Sequence, residues 1–235
     1  MTRILFGDFD ERAKEVRQYF IFLKNIEQES IKLSMGSITG KQKIKIIDPN
    51  LLRTLKASGF LLLYNLVEAT MRNAIESIFD ELRNEGVSYN RIRPELKKIV
   101  LKNLRKRNTD DLCSSMIEVS IDIISASFDP QDLFSGNIDG RKIKDTAIKY
   151  GFSHITDVKK THNGSDLLIV KTNRNDLAHG FKSFTEVGRD KTADELLAIE
   201  SRVIKYLRQI LQNIEAYLEN REYLDPAIDL LKDLP

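Results

Sequence analysis

The residues of this 235-residue chain best suited to chemistry lie together in Asn173-Arg174-Asn175-Asp176-Leu177-Ala178-His179-Gly180. On a helix, at about 100° per residue, Leu167, Val170, Leu177 and Ala178 gather on one face and Arg174 falls among them. A guanidinium is almost never buried without an anionic partner. Three partners are open: a carboxylate of the same fold such as Glu68, a neighbouring chain, or the phosphate of a substrate. His179 comes five residues later, roughly 140° round a regular helix, so the two side chains do not converge on an unbroken one. Gly180 predicts that the helix stops there, which frees His179 to turn; a second copy of the chain is the other way to unite the pair. Asn175, one turn before His179, can orient the imidazole, and Lys171 continues the polar stripe. Each residue also has an ordinary structural role: an ion pair for Arg174, a cap on the last carbonyls for His179.

The pair nonetheless matches one kind of reaction. Arginine grips two phosphate oxygens with a rigid fork, and histidine accepts or gives up a proton near neutral pH. No His-Glu-x-x-His run, cysteine cluster or acidic metal signature is present, so no metal and no other cofactor is expected. His154 and His162 fall in the polar stretch between Gly151 and Ser165 and read as surface histidines.

Helices must position these residues. Asp8 or Asp10 can cap a first helix running to about Lys32, with Val16, Phe20, Leu23 and Ile26 on one side. The stretch Ser34 to Asp48 is rich in Gly, Ser and Lys and reads as an irregular insertion, with Ile44-Lys45-Ile46 a short strand or an exposed loop. Pro49 opens the longest helix, to about Arg83, in which Phe60, Leu63, Tyr64, Val67, Met71, Ala74, Ile75 and Ile78 form one stripe. Leu61, Leu62 and Leu66 widen that stripe, enough for several neighbours or a second chain. Pro94 opens another helix, and Thr109 or Asp110 the next, through Ile117 and Ile121 to a break at Asp129-Pro130. A short helix runs from Asp139-Gly140 to Gly151, and Ser165 can cap the helix that carries Arg174. Thr192-Ala193-Asp194-Glu195 is a capping box for the last long helix. Val203, Leu207, Ile210, Ile214 and Tyr217 make its 4-3-4-3 seam. The reading is a single all-α domain over residues 1–235, an antiparallel helical bundle with a loop at 34–48 and a C-terminal tail at 221–235.

Hydrophobic residues at 41% and charged residues at 31% suit a globular chain and exclude global disorder. The single cysteine, Cys113, can form neither an internal disulfide nor a zinc site. No apolar run is long enough for a membrane span and the N-terminus carries no signal-peptide core, so the expected location is cytoplasmic, away from membranes. Net charge is only +2, but Arg91, Arg93, Lys97, Lys98, Lys102, Arg105, Lys106 and Arg107 crowd together with Glu95 alone opposing them. This is either a solvated helix face or a phosphate track. Tyr64, Tyr150 and Phe181 can stack bases or belong to the core.

Arg174-Asn175-Asp176-Leu177-Ala178-His179 resembles the Arg-x4-6-His motif of the HEPN superfamily, with a polar residue directly after the arginine. The similarity extends to Gly59-Phe60-Leu61-Leu62-Leu63-Tyr64-Asn65-Leu66-Val67-Glu68, to Ser135-Gly136-Asn137-Ile138-Asp139-Gly140-Arg141-Lys142-Ile143, to Lys149-Tyr150-Gly151-Phe152 and to Phe184 through Asp190. Together these resemble the MAE-type HEPN-like nuclease family over nearly the whole chain. The resemblance implies an antiparallel helical bundle that forms a homodimer with two motifs facing one cleft. It further implies a metal-independent endoribonuclease acting as a toxin or phage-defence effector, with an antitoxin protein as a possible partner. Arg174 and His179 are then the catalytic pair and Asn175 the supporting polar residue. Lys171, Lys97, Lys98, Arg105 and Lys106 are the residues expected to hold RNA. HEPN toxins silenced by nucleotidylation carry a tyrosine two residues after the histidine. That position is Phe181 here, so this control does not carry over. The competing reading is a non-catalytic HEPN-like module that binds RNA or a protein.

Overall fold

A computed structural model describes residues 2–36, 43–105, 134 and 136–229. The expected helix between Thr109 and Phe128, Cys113, and the basic residues Lys106 and Arg107 lie outside them. The described fold is all-α apart from one small hairpin. The helices are α1 (Thr2–Glu27), α2 (Pro49–Asn84), α3 (Pro94–Leu104), α4 (Gly140–Tyr150), α5 (Val158–Thr161), α6 (Asp166–Ala178), α7 (Phe184–Arg189), α8 (Ala193–Glu219) and α9 (Pro226–Asp229). The hairpin pairs β1 (Leu33–Met35) with β2 (Lys43–Lys45) antiparallel, Ser34 opposite Ile44. Residues 43–45 are exposed, so the predicted alternation is both a strand and a surface feature. No described helix is long and apolar enough to cross a membrane.

Two compact units divide the chain: Gly7–Val67 with Asp157–Leu207, and Met1–Phe6 with Glu68–Thr156 and Arg208–Pro235. In the first, the α1 stripe Phe9, Ala13, Val16, Phe20, Leu23 and Ile26 is buried at the predicted helical spacing. It shares that unit's core with Phe60, Leu63, Tyr64 and Leu66 of α2, Leu167 and Val170 of α6, and Leu196, Ile199, Val203 and Leu207 of α8. Leu62, one of the residues that widen the α2 stripe, is 41% exposed. In the second unit Met71, Ile75, Ile78, Leu82, Leu96, Val100, Ile143, Ala147, Ile210, Ile214 and Tyr217 are buried.

The first helix corrects the sequence reading at both ends. It begins at Thr2, and Asp8, expected as a cap, instead pairs with Arg12 one turn on, at 2.9 Å. It ends at Glu27 because Glu29 takes a left-handed φ of 54°, the Glu29 N–H bonds the Ile26 carbonyl at 3.0 Å and the Ser30 N–H the Asn25 carbonyl at 3.0 Å. This is a Schellman closure. The same closure ends α2 at Gly86 and α8 at Arg221, with φ of 58° and 53°.

In the second unit, Asp139 caps α4 by accepting the Lys142 N–H at 2.9 Å, and Gly151 ends it at φ 89°, as predicted. A Cβ on Gly151 would meet the Arg93 guanidinium 2.1 Å away. Arg93 donates to the Gly151 carbonyl at 3.1 Å and the Glu222 carbonyl at 3.3 Å, and pairs with Glu95 at 2.9 Å. It is a clip of the fold, which removes it from the proposed phosphate track. Within the C-terminal stretch, the Arg93 N–H bonds the Tyr223 carbonyl and the Asp225 N–H the Arg91 carbonyl, at 2.9 and 2.8 Å.

Among the described residues of the first unit, Lys56, Asp166 and Glu200 are both buried and charged. Glu200 on α8 is fully buried, and its Oε2 accepts from Arg17 Nη1 at 2.7 Å while Oε1 has no hydrogen-bond partner. Loss of solvation pushes this carboxyl above the usual range, and Arg17 offsets only part of the shift. The folded state therefore holds the Glu200 proton more tightly than the unfolded chain does. Stability should fall as pH rises from the ordinary glutamate range through the raised value. Glu200→Gln is expected to flatten that fall and to leave the protein at least as stable at neutral pH, measured by denaturant titration across the acidic-to-neutral range. An unchanged slope would contradict it.

Candidate active site

Helix α6 carries the candidate residues, and its start is built by a glycine. His162, Asn163 and Gly164 take successive left-handed φ values of 49°, 51° and 72°. A Cβ on Gly164 would sit 2.8 Å from the Tyr206 ring, so only glycine fits against that aromatic. Ser165, predicted as the cap, is itself helical (φ −60°, ψ −32°) and its side chain makes no capping bond. The adjoining Asp166 anchors the helix instead. It is buried, and Arg202 of α8 grips it with both forks, Nε to Oδ2 at 2.6 Å and Nη2 to Oδ1 at 2.9 Å.

The helix buries Leu167, Val170 and Leu177, as the pattern predicts, but Ala178 is exposed. Arg174 is half-buried among them. Its guanidinium carbon lies 4.5 Å from the centre of the Tyr64 ring, and its Nη1 donates to Asn175 Oδ1 at 2.9 Å. The buried Tyr64 therefore presents a fixed aromatic face to the cation, and Asn175 sets the turn of the fork in its plane. Glu68, the carboxylate considered for Arg174, pairs with Arg72 at 2.8 Å.

The helix stops where predicted, in a Schellman closure. Gly180 takes φ 69°, its N–H bonds the Leu177 carbonyl at 3.3 Å, and the Phe181 N–H bonds the Asp176 carbonyl at 2.8 Å. The Asp176 carboxylate pairs with Lys182 at 2.7 Å, and this contact holds the Lys182 ammonium above its ordinary range. His179 is exposed but not freed by the helix end. Its backbone stays on the helical path (φ −94°, ψ 0°) and its N–H still bonds the Asn175 carbonyl at 3.0 Å. The chain reverses one residue later, so the backbone of His179 keeps its offset of roughly 140° from Arg174. Its ring has that of Phe181 as a neighbour, centroids 5.5 Å apart.

Arg174, Asn175, Lys171 and His179 are thus brought together on one helix, with Lys171 and Asn175 half-buried. Lys97, Lys98 and Arg105 belong to the other compact unit. Lys97 pairs with Asp225 at 3.5 Å, while Lys98, Lys102 and Arg105 are exposed. Among the described residues no group of three or more His, Cys, Asp and Glu could hold a metal ion. Sequence reasoning missed Tyr64 as the seat of Arg174 and the Asp166–Arg202 pair; both unite residues far apart in the chain. It also missed α7, although Ser183-x-x-Glu186 is a capping box, with Ser183 N–H to Glu186 Oε2 at 2.7 Å and Glu186 N–H to Ser183 Oγ at 3.3 Å.

A family model described as HEPN_MAE_28990-like HEPN matches residues 1–223 of the chain. A search of the curated proteins and one of the solved structures returned no match.

The Asp166–Arg202 pair carries a measurable expectation. A double-mutant cycle with Asp166→Ala and Arg202→Ala, read by chemical denaturation, should give a coupling of roughly 1–3 kcal/mol. A value near zero would show that the bidentate pair does not anchor the helix.

Proposed function

Because this chain belongs to the HEPN_MAE_28990-like HEPN family, we propose that it is an endoribonuclease that cuts RNA without a metal, serving as a toxin or phage-defence effector. The observation that carries the reading is Arg174: a half-buried guanidinium oriented by the Tyr64 face and Asn175, on the helix whose exposed end bears His179. RNA supplies its own nucleophile. The 2′-oxygen attacks the adjacent phosphorus as its proton passes to a base, and the bond to the 5′-oxygen breaks as that oxygen takes up a proton. The products are a 2′,3′-cyclic phosphate and a 5′-hydroxyl. His179 transfers protons, worth typically about 10²–10⁴-fold per transfer, and Arg174 stabilises the charge on the phosphorane.

The retained offset between Arg174 and His179 favours a composite site. A two-fold dimer provides two imidazoles, one as base and one as acid, and two guanidiniums on one phosphate. Lys171 extends the polar side of α6 toward the RNA backbone. Lys98 and Arg105, with Lys97 as a weaker contributor because of Asp225, would bind phosphates by charge alone. An antitoxin protein would restrain the activity in the cell.

Wild type should cleave single-stranded RNA in EDTA and leave cyclic-phosphate ends, and His179→Ala should lose this activity at least about 100-fold. Binding without cleavage would favour a non-catalytic HEPN-like module. Mixing His179→Ala with Arg174→Ala chains tests the shared site: activity strictly proportional to intact protomers would contradict it. Reversing the exposed Lys98 and Arg105 to glutamate should weaken RNA binding and flatten its salt dependence while sparing the fold. Unchanged binding would remove the basic stretch from the RNA path.

A further inference from the structure

Phe181 is 75% exposed, an unusual place for a phenyl ring. The backbone beneath it is not loose. The Phe181 N–H closes the α6 cap on the Asp176 carbonyl at 2.8 Å, and Gly180 fixes the reversal at φ 69°. In such a closure, the residue after the left-handed one usually packs on the residue whose carbonyl it bonds. The end of α2 follows that rule: Val87 bonds the Leu82 carbonyl, and both are buried. At α6 the corresponding position is Asp176, whose carboxylate is held by Lys182 at 2.7 Å. The usual apolar partner is missing, and the ring leans instead on the imidazole of His179, centroids 5.5 Å apart and planes inclined by 35°.

Resting on the endoribonuclease reading, we infer that Phe181 is the stacking platform for a nucleobase next to the scissile phosphate, and that it selects single-stranded RNA. Aromatic faces accept any base, provided the base is unstacked from its neighbours. A base lying on the phenyl brings its own phosphodiester beside the imidazole. A base inside a duplex has both faces covered and cannot reach the ring. Phe181 is therefore a positioning residue: it sets where His179 meets the chain and performs no proton transfer itself.

The chain contains no tryptophan, so Phe181→Trp installs a single reporter. Its fluorescence should be quenched, to saturation, by a short single-stranded oligoribonucleotide whose 2′-hydroxyls are methylated to prevent cleavage. The same strand with abasic positions, and a duplex of the same sequence, should quench far less. Phe181→Ala should raise KM roughly 5- to 100-fold, the loss of about one base stack, with a smaller change in kcat, and Phe181→Tyr should restore it. Equal quenching by abasic strands, or an unchanged KM in Phe181→Ala, overturns the proposal while His179-dependent cleavage leaves the nuclease reading standing. A Phe181→Ala protein that sediments as monomer where the parent sediments as dimer assigns the ring to a subunit contact and also overturns it. A parent that neither binds nor cleaves RNA overturns both readings.

Discussion

A guanidinium resting on a buried tyrosine face is the interaction on which the candidate site depends. Arg174 emerges from the apolar side of α6, where a solvated charge could not be tolerated without compensation. Tyr64 supplies it through its ring, at 4.5 Å, and Asn175 through a hydrogen bond of 2.9 Å. The cation–π contact is worth about 0.5–2 kcal/mol in such partly buried settings, modest as stability. Its larger consequence is orientation: a planar fork held against an immobile ring gives up less conformational freedom when it meets a phosphate.

Helix endings place the other residues. The closure at Gly180 ends α6 but leaves His179 on the helical path, so the backbone offset between imidazole and guanidinium survives the end of the helix. The same turn puts Phe181 outside the core, because the position that would normally pack beneath it is an aspartate. A reversal of one residue thus decides which side chain stays with the helix and which departs from it.

Around this, contacts from remote parts of the same unit hold α6 and α7 in place. Asp166 is clamped by Arg202, Gly164 lies against Tyr206, and Gly188 packs so tightly that a Cβ would come within 1.8 Å of the Arg53 carbonyl oxygen. Asp166 has both carboxylate oxygens bonded to Arg202, which fixes its geometry and offsets lost solvation, whereas Glu200, paired through one oxygen only, keeps a desolvation cost.

Much of this was legible in the residues themselves. The limits of α2 and α4, the start of α8, the stop at Gly180 and the seam of Val203, Leu207, Ile210 and Ile214 follow from apolar period, proline, glycine and capping signals, which act within one or two turns of a helix. So does the presence of an arginine, an asparagine and a histidine on one helix. The tertiary structure alone decided what those residues meet: that Tyr64 seats Arg174, that Arg202 replaces Ser165 as the anchor of α6, that Arg93 is a clip and Lys97 is drawn to Asp225. The division is physical. Caps and periodicity are local energies readable from neighbours in sequence, whereas the partner of a charge is chosen by which distant surfaces the packing of the core brings within a few ångströms.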